Sequence, residues 1–385
     1  MSARDVATAT IAAAGPDLLA LSQFIHAHPE LGYEEHESAQ AVARAAEAAG
    51  FALERGSAGR PTAFRARAGT GRLHVAVCAE YDALPDVGHA CGHNIIAAAS
   101  LGAALGLAAV ADDLDLTIDL LGTPSEEGGG GKIDLIEAGY FEGVHLAVMV
   151  HPWPEDRLDA TCLAVDHLEV VYEGRDAHAS AAPWEGVNAL DALTIAQVAI
   201  GLLRQQLRPG DQVHGYVLEA GSAPNVIPSR AVAQFMCRAT TVERLEELRQ
   251  RVDACWRAGA LATGASLHVR ALGHRFTNMR ADQDLLAHYR AAAESLGRSF
   301  ARDDAGDPPP TLSTDMANVS LVVPTIHPLL GIETHGAVNH QPAFAAACVG
   351  PDAERAILDG ALALATTVIA VALDTPLRHR LEERS

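Results

Sequence analysis

The chain has 385 residues, long enough for two domains, and its 49% hydrophobic and 20% charged residues describe a folded globular protein, which excludes a disordered one. With 49 acidic residues against 28 basic ones the formal charge is -21, which excludes nucleic acid and anionic membrane as partners, because phosphate binding needs a positive surface. Asp5, Asp17 and Gln23 interrupt the opening segment, no uncharged eighteen-residue apolar span follows, and six cysteines lack paired spacing, so a reduced, cytoplasmic protein is expected.

In chain order, "LHVAVCA" (residues 73–79) reads as a buried parallel strand that ends in "EYDALPD". "GHACGHN" (88–94) opens onto an Ala- and Leu-rich helix, with His93 or Asn94 placed to cap it. "LTIDLLGTPSEEGGGG" (116–131) reads as a second strand entering a Gly-rich turn, "KIDLIEAGYF" (132–141) as a helix and "HLAVMV" (145–150) as a third strand, an α/β alternation. From His167 the pattern becomes strand, helix, two strands, helix and strand up to about residue 272, the βαββαβ order of a ferredoxin-like module. A helix ("DLLAHYRAAAESLG"), a Pro-rich loop ("DAGDPPPTLSTDMANVS"), a strand ("LVVPTIHPL") and a final helix ("AERAILDGALALATTVIAVAL") complete the chain. The expected architecture is α/β: residues 1–165 and 275–385 form a catalytic domain with a mostly parallel sheet flanked by helices, and residues 166–274 form an inserted α+β module.

Ligands of an open parallel sheet bind beyond the carboxyl ends of its strands. Here the three strands end in Glu80 and Asp82, in Glu126 and Glu127, and in His151, while the neighbouring turn adds His89, Cys91 and His93. Thiolate, imidazole and carboxylate together make a transition-metal ligand set. Taken alone, Cys91 also reads as a buried thiol or as a nucleophile with a histidine base, but only a metal-bound thiolate accounts for the glutamates too. Adjacent side chains on an extended chain point to opposite sides, so one of Glu126 and Glu127 can bind metal while the other takes a proton from water; a solvated acidic turn is the plain alternative.

The motifs "HAHPELGYEEHES", "AEYDALPDVGHACGHN", "GTPSEEGGGGK", "MVHPWP", "GRDAHASAAPWEGVNALDA" and "NVIPSR" together resemble the binuclear-metal family of aminoacylases, carboxypeptidases and amidohydrolases, peptidase family M20. Within it the likeness is to the branch of aminobenzoyl-glutamate hydrolase and the M20 domain-containing dipeptidases. The resemblance implies two divalent metal ions per chain, zinc or manganese with cobalt as a further option, and a lid module that pairs two copies as a homodimer. It implies that Cys91 bridges the metals, that His93, Glu127, His151 and His335 complete their coordination, that Glu126 is the general base and that Asp82 orients ligands. In the lid, His178 is implied as an oxyanion stabiliser across the dimer interface, with Asn225 and Arg238 holding the substrate. The implied reaction is hydrolysis of the amide bond of N-acyl amino acids or small dipeptides. A strict dipeptidase for basic or β-alanyl dipeptides and an inactive metal-binding scaffold are the alternatives. The chain departs from the family's usual pattern at Asn94, where relatives usually carry aspartate, and at Glu80, where many place a metal-binding histidine.

Overall fold

In a computed structural model that describes residues 1–384, the chain divides into two units: Met1–Thr161 together with the chain from Met279 onward, and Cys162–Asn278 between them. The first unit begins with helices α1 (Ala3–Ala27) and α2 (His36–Ala48) and strands β1 (Ala52–Arg55), β2 (Phe64–Gly69) and β3 (Leu73–Ala79). Helix α3 (His93–Ala108), strand β4 (Leu116–Gly122), helix α4 (Gly131–Glu137) and strands β5 (Leu146–Val148) and β6 (His151–Trp153) follow. The second unit contains β7 (Ala164–Glu173), α5 (Ala189–Leu203), β8 (Gln212–Ala220), β9 (Arg230–Ala239), α6 (Val242–Thr263) and β10 (Ser266–Ala271). The chain then returns to the first unit with α7 (Gln283–Glu294), β11 (Thr325–Ile326), β12 (Leu329–Gly331) and α8 (Pro351–Leu373).

The main sheet of the first unit has the order β1-β2-β4-β3-β5-β11. Strands β4, β3, β5 and β11 run parallel, and β1 and β2 extend the β4 edge antiparallel. β4 is buried along its whole length and β3 along nearly all of it, which is what near-continuous apolar runs demand of central strands. On one face, α3 lies against α1 and α8 through its glycines. A Cβ at Gly102 would stand 2.8 Å from Leu18 Cδ1 and 2.9 Å from Ala361 Cβ, and one at Gly106 2.7 Å from Ile11 Cδ1. Helix α8 is long and apolar enough to cross a membrane by length and composition, and 67% of its most apolar stretch is buried in this unit, as in a core helix. The expected cap of α3 is not formed by His93 or Asn94. Gly92 occupies the N-cap at φ 76°, and buried Asn94 instead donates to Ser22 Oγ (2.8 Å) and to the Cys348 carbonyl (2.9 Å).

The second unit is a four-stranded antiparallel sheet of order β10-β7-β9-β8, the arrangement expected of a βαββαβ module. Helices α5 and α6 cover one face, enclosing Val170, Tyr172, Leu193, Phe235 and Trp256.

Candidate metal centre

The carboxyl edge of the parallel sheet gathers the polar residues. Glu80 and Asp82 follow β3, Glu126 and Glu127 follow β4, His151 opens β6 beyond β5, and His327 follows β11. The turn before α3 is pressed against this edge: a Cβ on Gly92 would stand 2.8 Å from Pro152 Cγ, so only glycine lets Cys91 and His93 approach the strand that carries His151. Glu126 and Glu127 lie in a turn and not on extended chain, so it is the turn that spreads their carboxylates, correcting the alternation argument.

Donor atoms of Cys91, His93 and His151 lie within 4.8 Å of one another, as do those of Cys91, Glu127 and His340, and those of Glu80, His93 and Glu126. Two of these groups share the Cys91 sulfur. His93 Nε2 is 3.5 Å from Glu80 Oε2 and 3.9 Å from Glu127 Oε1, while His340 Nε2 is 3.5 Å from Glu127 Oε2. Asp82 sets the orientation: its Oδ1 meets His93 Nδ1 at 3.0 Å and its Oδ2 accepts from Glu127 N at 3.0 Å, leaving His93 Nε2 directed inward. Buried His93 Nε2 and Glu80 Oε2 have no hydrogen-bond partner among the described residues. Buried polar atoms are almost always satisfied, so open valences of this kind, beside a thiol and imidazoles, fit divalent metal.

The electrostatics agree. Burial, followed by the charges of Glu80 and Glu127, pushes Glu126 well above the usual carboxylate range, and burial with Asp82 nearby raises Glu127. Burial and the adjacent Glu127 raise the Cys91 thiol. Burial lowers His151 to about 4, whereas for His93 burial is outweighed by Asp82 and Glu80, which raise it well above its ordinary value. A cation among these groups relieves the repulsion between the acids and favours their charged forms.

Behind the centre lies a buried ion network that the sequence reading missed. Lys132 donates from Nζ to Glu80 Oε1 (2.5 Å) and Asp315 Oδ1 (2.6 Å), and from its backbone N to Asp315 Oδ2 (3.0 Å). Burial raises Asp315 to about 6 despite the opposing Lys132 charge. Glu80 is thereby held with one oxygen on the ammonium and the other facing His93. The only signals were a lysine directly after four glycines and the aspartate of "STDMANVS".

His335 is not brought into the group. At φ 52° in the turn closed by Ala337 N and Thr334 O, its side chain is 89% exposed and its Nδ1 lies 3.4 Å from Glu333. His340 takes that place, because its backbone N donates to Ala90 O (2.9 Å) and so ties it to the Cys91 turn. His327, which with His340 is the neighbouring histidine that competes with His335 in the sequence, packs its ring 5.4 Å from that of His151.

In the second unit His178 and Asn225 are neighbours. His178 Nδ1 accepts from Ala181 N (3.2 Å), and Asn225 O accepts from Ala179 N (3.0 Å). Both side chains lie on the exposed loops before α5 and before β9. Arg238 is half-buried near the far end of β9, with Met236 Sδ 3.4 Å from its Nη2, roughly 26 Å along the strand from Arg230. One copy of the unit therefore does not gather all three expected substrate contacts.

Residues 166–263 match the profile of the peptidase dimerisation domain. The chain is 41% identical over 367 residues to the Xaa-Arg dipeptidase of Mus musculus, covering 91% of this chain and 85% of that protein. It is 30% identical to one of the polypeptides of p-aminobenzoyl-glutamate hydrolase from Escherichia coli K12, over 63% of this chain and 55% of that polypeptide. In fold it is similar to an aminobenzoyl-glutamate utilization protein from Klebsiella pneumoniae (TM-score 0.73, 21% identity, 93% of this chain and 97% of that one). A Bacillus subtilis dinuclear metal-binding peptidase is also similar (TM-score 0.68, 21% identity, 93% and 98%). On the strength of the near full-length match and of the fold, the chain belongs to peptidase family M20, hydrolases of carbon–nitrogen bonds.

Proposed function

We propose that this hydrolase is a metal-dependent dipeptidase that releases a basic C-terminal amino acid, with simple N-acyl amino acids as poorer substrates. The observation that carries the substrate class is the 41% identity to an Xaa-Arg dipeptidase over 91% of the chain. The charge of -21 supports it, because an acidic surface raises the local concentration of cationic ligands.

We assign two divalent ions, zinc or manganese, to Cys91 as shared ligand with His93 and His151 on one side and Glu127 and His340 on the other. Such ions, when bound, lower the pKa of water and polarise the scissile carbonyl. Glu126 takes the proton of the attacking water and returns it to the leaving amine, a role suited to a carboxyl that lies within 4.8 Å of the Glu80 and His93 donor atoms and is not needed in either set that shares Cys91. Asp82 holds His93 and the Glu127 backbone in register throughout. His178 and Asn225 are assigned to the oxyanion and the substrate backbone, Arg238 to the substrate carboxylate, and the second unit to the pairing of two copies. Six free cysteines support a cytoplasmic location.

The test is a panel of Xaa-Arg, Xaa-Lys and β-alanyl dipeptides, N-acyl amino acids and aminobenzoyl-glutamate, run on protein whose metal content is measured. The expected result is the highest kcat/KM for Xaa-Arg or Xaa-Lys. A preference for aminobenzoyl-glutamate would overturn the substrate class, and a metal-loaded protein that cleaves no amide would overturn the whole reading.

A further inference from the structure

Glu126 sits in a turn whose shape nothing in β4 itself dictates. Ser125, the residue before it, is in the left-handed region at φ 57°, and its carbonyl accepts from both Gly129 N (3.0 Å) and Gly130 N (2.8 Å). A non-glycine residue adopts that conformation only where its surroundings over-determine it.

The surroundings are one short segment between α1 and α2. Glu35, fully buried, accepts from Ser125 N at 2.7 Å through Oε1. A Cβ on Gly32 would lie 2.3 Å from Ser125 Oγ, and one on Gly129 would lie 2.3 Å from Tyr33 Cε2, so the two loops meet at van der Waals distance on both sides of the turn. Tyr33 is itself left-handed at φ 65°, and its hydroxyl donates to Asp134 (2.7 Å), which Arg60 grips with two bonds of 2.8 and 2.9 Å while its guanidinium lies 4.3 Å over the Tyr33 ring. The same segment holds the other side of the site, since Glu30 O accepts from Ala83 N (2.8 Å), next to Asp82. The segment is anchored in turn by the Glu30 carboxylate, which accepts from Glu37 N and Ser38 N at the start of α2.

We infer that residues 30–35 are a positioning clamp that fixes the Glu126 turn relative to Asp82, with Glu35 and Gly32 as its two working points. Neither touches the reacting atoms. Glu35 fixes where the peptide before Glu126 lies, and Gly32 keeps the space into which Ser125 fits. The inference rests on the reading of Glu126 as general base.

The experiment compares Glu35→Ala, Glu35→Gln and Gly32→Ala in the full-length, metal-loaded protein, reading kcat and KM separately, metal content by elemental analysis, and amide hydrogen exchange over residues 123–131. Glu35→Ala and Gly32→Ala should lower kcat by about 10- to 100-fold, the scale of a 1 Å misplacement, with KM and metal content as in the parent and exchange faster in that segment alone. Glu35→Gln, which keeps an acceptor for Ser125 N, should retain the parent's kcat and exchange. If Glu35→Ala does not fold, Gly32→Ala decides, because its φ is outside the left-handed region and the three atoms nearest the added methyl all belong to Ser125. Unchanged exchange over 123–131 in the alanine variants overturns the clamp. A parent enzyme that cleaves no amide defeats the proposed function instead and leaves the exchange measurement to decide the clamp by itself.

Discussion

Two buried polar clusters sit on the same pair of strands and are built on opposite principles. Midway along β4, Asp119 is completely buried, and Arg67 binds both its oxygens (2.7 and 2.6 Å) while His74 Nε2 lies 2.8 Å from Oδ2. Burial alone would raise its pKa, but those bonds outweigh it and hold the carboxyl below its ordinary value. At the end of the strand buried Glu126 and half-buried Glu127 are pushed the other way, beside a His93 ring whose inward Nε2 has no hydrogen-bond partner among the described residues. A charge satisfied inside the chain stabilises the fold, whereas a set of donors left incomplete is stabilised only by what binds there.

The sharpest test of that contrast is Glu126→Gln. It should lower kcat by about a thousandfold, within the range of general acid–base catalysis, while metal content stays the same and Tm stays the same or rises, since a repelled buried carboxylate is lost. A variant that is destabilised but active would erase the distinction.

Asp119→Ala should do the reverse, costing about 3 kcal/mol in urea unfolding with kcat/KM unchanged per folded molecule. The pH dependence separates the clusters further. With its folded pKa below 3.8, Asp119 contributes stability above that pH and loses it as the pH falls through the lowered value, so Asp119→Asn should flatten the acid limb of the stability curve. Glu35 is shifted by burial from 4.5 to about 7, so the folded state takes up the extra proton and stability should decline as the pH rises from 4.5 towards 7. Glu35→Gln should remove that decline, as read from Tm across the pH range.

The finest comparison is between two histidines five residues apart. His340→Ala should weaken metal binding by on the order of 10- to 100-fold in a chelator competition, and His335→Ala should leave it unchanged. Equal effects would mean that the loop carries both rings to the metals.

The strands and the Cys91 turn were legible because each is local: an apolar run predicts a strand, and polar residues at its end predict a site edge. The α/β unit and the βαββαβ module follow from the same patterns. The loops were not legible, because backbone conformation and distant partners decide where their side chains point. His335 and His340 both have positive φ, and bonds to distant chain, from His340 N to Ala90 O and from Asn339 Nδ2 to Pro152 O, select one over the other. Lys132 is in sequence only the first residue of a helical segment, and its partner Asp315 lies 183 residues away. The alternation of an extended chain predicts the spread of Glu126 and Glu127, whereas the two lie in a turn that follows a left-handed Ser125.

Helix α3 carries a consequence of its own. His93 stands at its first residue, and the glycines that let α1 and α8 close on it lie further along the same rod, Gly102 about 14 Å away at 1.5 Å per residue. A methyl group added at Gly102 would meet Leu18 Cδ1, which can rotate away, and Ala361 Cβ at 2.9 Å, which cannot, so the rod is expected to shift. The alignment of an imidazole in the metal centre is thus governed by a lever whose fulcrum lies deep in the apolar core, where no ligand reaches.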